Sequence, residues 1–274
     1  MLNLGRRATG RARYELPQPP VRRAVSRTDA FADVLADRVL GDLRMDAPRR
    51  GNREVVINAC DLATGSAFRF GSRESGTWQR GAIVGNSVPL ATAVAASAAY
   101  PLALPALDRE WLFERRTGEQ HRDRVVLTDG GAFDNLGTTC LLPGRDATYS
   151  TNVFDVDYIV TCDAGRGLLA RSTPIAWPSR AARSFEATFR KVQDGQRARL
   201  HELAGRGELG GFVMPYLGQL DRSLPWRPAE LISREAVADY PTDFRAMSQE
   251  ALDLLAGRGE QLTRLLIEAY CPQL

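Results

Sequence analysis

The segment that most restricts the fold is VVLTDGGAFDNLG, which covers residues 125–137. Its aliphatic start predicts a short buried strand. The strand ends on a carboxylate, Asp129, and two glycines, Gly130 and Gly131, follow directly. Aspartate before glycine is ordinary turn chemistry. The same arrangement would also hold a base at a pocket mouth, beside backbone that a substrate could approach. These residues alone leave both interpretations open.

Short apolar strands alternate with helices along much of the chain. Residues 54–61 and 67–70 predict a hairpin that turns at Gly65. The small residues after position 86 predict a helix that stops before Pro101, and residues 158–163 predict a strand that ends on Asp163. A long helix is expected over residues 181–203, and two helices separated near residues 257–259 should follow. This alternation predicts a layered α/β domain around a central, largely parallel sheet.

The charge of the chain is unevenly distributed. Residues 1–27 contain seven arginines and one acid, a net charge of +6, so the total of +3 leaves −3 for the remainder. We expect residues 1–27 to form a basic, flexible arm and residues 28–274 to form the folded domain. Because the folded part is not basic, the composition does not support a nucleic-acid partner.

The composition also argues against a metal site. The four cysteines form no C-x-x-C pair and the chain has only two histidines, so we expect no metal and no cofactor. The uncharged stretch at residues 81–107 is interrupted by prolines and is not expected to span a membrane. We expect a cytoplasmic protein, or one held peripherally at a membrane surface.

Three sequence blocks resemble segments of the patatin-like phospholipase family, and they follow one another in the same order as in that family. INACDLATGSAFRFG at residues 57–71 resembles its strand-turn-strand segment, and VPLATAVAASAAYPLALPAL at residues 88–107 resembles its small-residue helix. DGGAFDNLG resembles the segment that delivers its catalytic aspartate. The resemblance covers residues 28–165 well and the rest loosely. It implies a three-layer patatin-like α/β domain that hydrolyses acyl esters of membrane lipids.

The resemblance also implies roles for individual residues. Patatin-like enzymes use a Ser-Asp dyad, so Asp129 would be the base, and Gly130 and Gly131 would be the bare backbone beside the substrate. The family's serine lies in G-x-S-x-G, which this sequence lacks, as it lacks the glycine-rich oxyanion loop. Both precede the first block in the family. We therefore expect the C-terminal portion of such a domain, with an unfilled sheet edge, inactive until an upstream-encoded segment or chain supplies the nucleophile.

Two other functions stay open. A non-catalytic patatin-like protein or fragment could bind lipid or a partner chain. An unrelated α/β hydrolase could use the carboxylates of Asp129 and Asp163. Ser97, inside the small-residue helix, is interpreted as a packing residue, and Asp61 as support for the hairpin turn.

Overall fold

The structure is a computed structural model, and it describes residues 26–47, 53–101, 103–163, 176–241 and 245–274. The expected basic arm lies outside these ranges except for Ser26 and Arg27. Helix α1 (Arg27–Leu35) begins with a reciprocal cap: the Ser26 hydroxyl accepts the Asp29 N–H at 3.1 Å, and the Asp29 carboxylate accepts the Ser26 N–H at 2.8 Å. These bonds satisfy backbone N–H groups that have no partner within the helix.

Six antiparallel strands form a closed barrel. Each strand pairs with the next along the chain, and the last pairs back with the first. The strands are β1 (Val56–Asp61), β2 (Ser66–Gly71), β3 (Ser75–Thr77), β4 (Gly81–Ile83), β5 (Leu107–Glu114) and β6 (Gln120–Asp129). The predicted hairpin of β1 and β2 is confirmed. The predicted three-layer α/β domain with a largely parallel central sheet is wrong.

The prediction of a parallel sheet is wrong because of β5 and its connection to β6. The short connection at residues 115–119 reverses the chain, whereas parallel neighbours need a crossover of a dozen or more residues. No strand is predicted from the sequence LDREWLFE, in which charged side chains interrupt the apolar ones. In the barrel Leu107 and Phe113 are fully buried, while Glu110 and Glu114 are exposed.

The barrel encloses the main hydrophobic core. Phe68 and Phe70 of β2 lie 4.9 Å apart between ring centroids, and Leu127 of β6 packs in the same cluster. Helix α2 (Leu90–Ser97) contributes Ala93 and Ala96, which are fully buried. Because the sheet closes on itself, it has no open edge of the kind expected from the sequence.

The remaining strands and α-helices lie outside the barrel. They are α3 (Gly131–Asp134), β7 (Tyr158–Val160), α4 (Trp177–Gly205), β8 (Gly211–Val213) and α5 (Gln249–Tyr270). The only parallel strand pair in the described ranges is that of β7 and β8. The predicted break near residues 257–259 is wrong, because α5 continues through both glycines. Burial of Leu262, Leu265 and Leu266 outweighs a propensity cost of about 1 kcal/mol per glycine. Among the helices of the described residues, none has the length and apolarity to cross a bilayer.

Candidate functional site

Strand β6 delivers Asp129 to a junction of three elements. Val125 and Leu127 are fully buried, as the sequence predicts, and Asp129 is the last residue of the strand. It pairs with Ala59 of β1, and its N–H donates to the carbonyl oxygen of Ala99, just after α2, at 3.1 Å. The backbone of Asp129 is therefore held from both sides.

A cleft of about 400 Å³ opens over Asp129. Strand β1 supplies one wall, the end of α2 supplies Ser97, and the turn after Asp129 supplies the rest. The lining residues are Val56, Ile57, Asn58, Ser97, Asp129, Gly130, Gly131, Asp134, Asn135, Leu136 and Gly137. This volume lies within the range of small-molecule sites, and the mixture of apolar and polar groups is typical of them.

The Asp129 carboxylate is electrostatically perturbed. Burial raises the pKa of Asp129 because it disfavours the charged form, while a hydrogen bond from the Gly131 N–H, at 2.7 Å, opposes the rise. Tyr100 lies within the field of this carboxylate. Burial raises the pKa of Tyr100, and the charges of Glu186 and Asp129 raise it further. A raised pKa keeps the phenol protonated and able to donate a hydrogen bond.

The two glycines after Asp129 are required by packing. A Cβ on Gly130 would overlap the carbonyl oxygen of Asn58 in β1, and a Cβ on Gly131 would overlap the ring of Phe189 in α4. Both glycines also line the cleft. Their bare backbone therefore lets β1 and α4 approach the turn, whether or not a ligand is bound.

Asp134 connects the turn, α4 and β1 around the cleft through hydrogen bonds. It is not among the site residues predicted from the sequence. Its side chain is only 3% exposed, and it accepts hydrogen bonds from the Thr138 N–H at 3.1 Å, the Thr139 N–H at 2.9 Å and the Thr139 hydroxyl at 2.5 Å. Gln196 of α4 donates at 2.7 Å, and Asn58 of β1 lies at 3.5 Å. The sequence feature that could have identified Asp134 is the D-N-L sequence shortly after the glycines.

Ser97 is also part of the cleft, although its sequence indicated a packing role. It is the last residue of α2, and its carbonyl oxygen accepts the Gly130 N–H at 3.3 Å. Within the described part of the chain, no serine hydroxyl donates a hydrogen bond to the Asp129 carboxylate. The only sequence feature that could have placed Ser97 in the cleft is its position near a helix end, shortly before Pro101.

The other candidate carboxylates have different surroundings. Asp163 accepts hydrogen bonds from Gln193 and Arg197 of α4, both at 2.6 Å, and it does not line the Asp129 cleft. Asp61 supports the hairpin turn as predicted, since it accepts the Ala63 N–H at 3.0 Å and the Thr64 hydroxyl at 3.1 Å. The described ranges contain no group of three or more potential ligands arranged to hold a metal ion.

Comparison of the chain with protein-family models, with curated proteins and with solved structures finds no match.

Proposed function

We propose that Asp129 is the general base of an acyl-ester hydrolase of the patatin-like kind, acting on lipid or other acyl esters. The observation that carries the proposal is a strand-end carboxylate with a raised pKa, set in a cleft that could hold a small ligand. A raised pKa makes a carboxylate a better base near neutral pH. Val56, Ile57 and Leu136 offer apolar surface to an acyl chain.

The proposed reaction is a two-step acyl transfer. Asp129 takes the proton of a serine hydroxyl, the serine oxygen attacks the ester carbonyl carbon, and the tetrahedral intermediate expels the alcohol, which receives the proton from Asp129. Water then attacks the acyl-serine, Asp129 takes its proton, and the acid leaves as the serine is reprotonated. The serine would come from outside the described residues or from a second chain. A lipid substrate would bring the protein to a membrane surface from the cytoplasm.

A fluorophosphonate probe, which labels activated serines, tests this proposal. The protein should be expressed together with whatever sequence is encoded directly upstream, and the labelled serine identified by mass spectrometry. We expect Asp129→Asn to lower both labelling and ester hydrolysis by about a hundredfold or more. The exposed Asp146→Asn should leave both unchanged. Full activity in Asp129→Asn would show that this carboxylate is not the base.

A non-catalytic role in binding lipid or a partner chain is the second candidate. It is favoured by one observation, that the Asp129 carboxylate accepts the N–H of Gly131 rather than a hydroxyl group. On this hypothesis no serine is labelled, with or without the upstream sequence, and Ser97→Ala changes nothing in the hydrolysis assay. If labelling falls on Ser97, the nucleophile lies within this chain and the binding role is excluded.

A further inference from the structure

Three arginines converge on the segment around Ser150, on the outer side of the barrel. The Ser150 hydroxyl accepts Nη1 of Arg69 at 3.1 Å, and Nε and Nη2 of Arg145 at 3.2 and 2.7 Å. Nη2 of Arg116 lies 3.3 Å from the Ser150 carbonyl oxygen and also bonds the carbonyl oxygen of Ala147. We call Arg69, Arg116 and Arg145 the arginine cluster.

Among the described residues, this cluster donates to neutral hydroxyl and carbonyl oxygens, so its positive charge is not paired directly. A hydroxyl oxygen has two lone pairs, yet three N–H groups point at that of Ser150. In the described ranges none of the three guanidinium groups has a carboxylate within ion-pair distance; Asp134 and Asp146 act on Arg69 and Arg116 from further away. Burial raises the pKa of the neighbouring Cys140 thiol, which therefore brings no negative charge at neutral pH.

Arg69 is the most buried member of the cluster, and besides Ser150 it donates only to neutral oxygens, the Thr151 carbonyl at 3.0 Å and the Thr139 hydroxyl at 2.9 Å. It is only 2% exposed, and its Nε atom is buried without a hydrogen-bond partner. Burial of a guanidinium group without a counter-ion is costly, and an anion nearby would offset that cost. Arg145 is half-buried and Arg116 is exposed, so a ligand from solvent can reach both.

We propose that the arginine cluster binds a phosphate-class oxyanion beside Ser150. The Nε and Nη2 atoms of Arg145 form the fork that pairs with two oxygens of a phosphate group. Arg116 supplies the second reachable charge, which matches a phosphate monoester dianion. The Ser150 hydroxyl accepts from both Arg69 and Arg145, so its own hydrogen can be donated to the anion. Arg69 does not touch the anion; it is a positioning residue that holds Ser150 from behind.

The test measures binding to the whole chain by isothermal titration with inorganic phosphate, against chloride at matched ionic strength. In a second arm the chain is sedimented with phosphatidylcholine vesicles with and without phosphatidic acid. Binding in the first arm identifies a soluble phosphate ligand, and binding only in the second identifies a lipid headgroup. We expect Arg145→Gln to weaken either interaction about tenfold or more. Arg145→Lys, which keeps the charge and loses the fork, should be intermediate.

Arg264→Gln is the matched control, because it removes the same charge from an exposed side chain on α5. Arg264→Gln should bind phosphate or vesicles as tightly as the unchanged protein does. If Arg145→Gln fails to fold, as judged by its melting temperature, Arg116→Gln at the exposed rim takes its place. No binding in either arm, or equal weakening by Arg145→Gln and Arg264→Gln, would overturn the proposal and leave the cluster as a clamp on residues 145–151. The measurement involves no hydrolysis and stands apart from the proposed function.

Discussion

Asp129 is a residue whose charge works against the fold. Burial disfavours its ionised form, and the Gly131 N–H offsets only part of that effect, since the net shift of its pKa is upward. Between the unfolded pKa, near 3.8, and the raised folded pKa, the folded protein holds a proton that the unfolded chain releases. The contribution of this group to stability therefore falls as the pH rises through that window.

Asp129→Asn removes this pH-dependent cost, because asparagine is neutral throughout and can still accept the Gly131 N–H. We expect the variant to be more stable than the unchanged protein near neutral pH, and the difference to vanish in acid below the unfolded pKa. Urea unfolding at a series of pH values measures both.

Asp146 is the control of opposite sign, since hydrogen bonds from Thr148 lower its pKa. Asp146→Asn should lose stability at neutral pH and regain parity in acid, because the stabilisation by Asp146 disappears as the pH falls through its folded pKa. If Asp129→Asn is less stable than the unchanged protein at neutral pH, the charge of Asp129 is not a buried, destabilising one.

At the scale of elements, the seam between β1 and β6 closes the barrel, and it ends at the cleft, which Asp129 lines. Only the ends of these strands pair, at Ala59, Cys60 and Asp61 of β1. Gly130 continues directly from this seam, against the Asn58 carbonyl oxygen. The geometry of the seam thus depends on a residue without a side chain.

Gly130→Ala should therefore open or distort the seam, and we expect a loss of about 1–3 kcal/mol in the free energy of unfolding. Chemical denaturation measures it. Gly195→Ala is the control: it lies within α4, a Cβ there meets nothing within 4 Å, and alanine should add up to about 1 kcal/mol through helix propensity. Equal behaviour of the two variants would mean that β1 can move away from the turn at no cost.

For the whole molecule, we expect the barrel core to make the main contribution to the free energy of unfolding. Leu127 is fully buried there among Phe68, Phe70 and Phe113. Leu127→Ala should lower the free energy of unfolding by about 2–5 kcal/mol, because a cavity remains where the side chain was. Leu252→Ala, at a position 45% exposed on α5, should stay within about 0.5 kcal/mol. Tryptophan fluorescence in urea compares the two; a small effect at Leu127 would show that the stability of the molecule resides elsewhere.

The sequence by itself determined those features that depend on near neighbours. The hairpin of β1 and β2 follows from two apolar runs around Gly65, and the end of β6 at Asp129 follows from an aliphatic run that meets two glycines. The long helix α4 was likewise predictable from its periodicity. In each case the determining residues lie within a few positions of one another, so short-range periodicity and turn chemistry suffice.

Only the tertiary structure decided which strands are neighbours and which side chains share the cleft. The pairing of Ala59 with Asp129 joins positions far apart in the chain, and it closes an antiparallel barrel that the alternation of strands and helices did not predict. Ser97 lines the cleft beside Asp129 for the same reason. Such contacts depend on how whole elements bury their apolar faces against each other, a long-range balance that no local pattern of residues records.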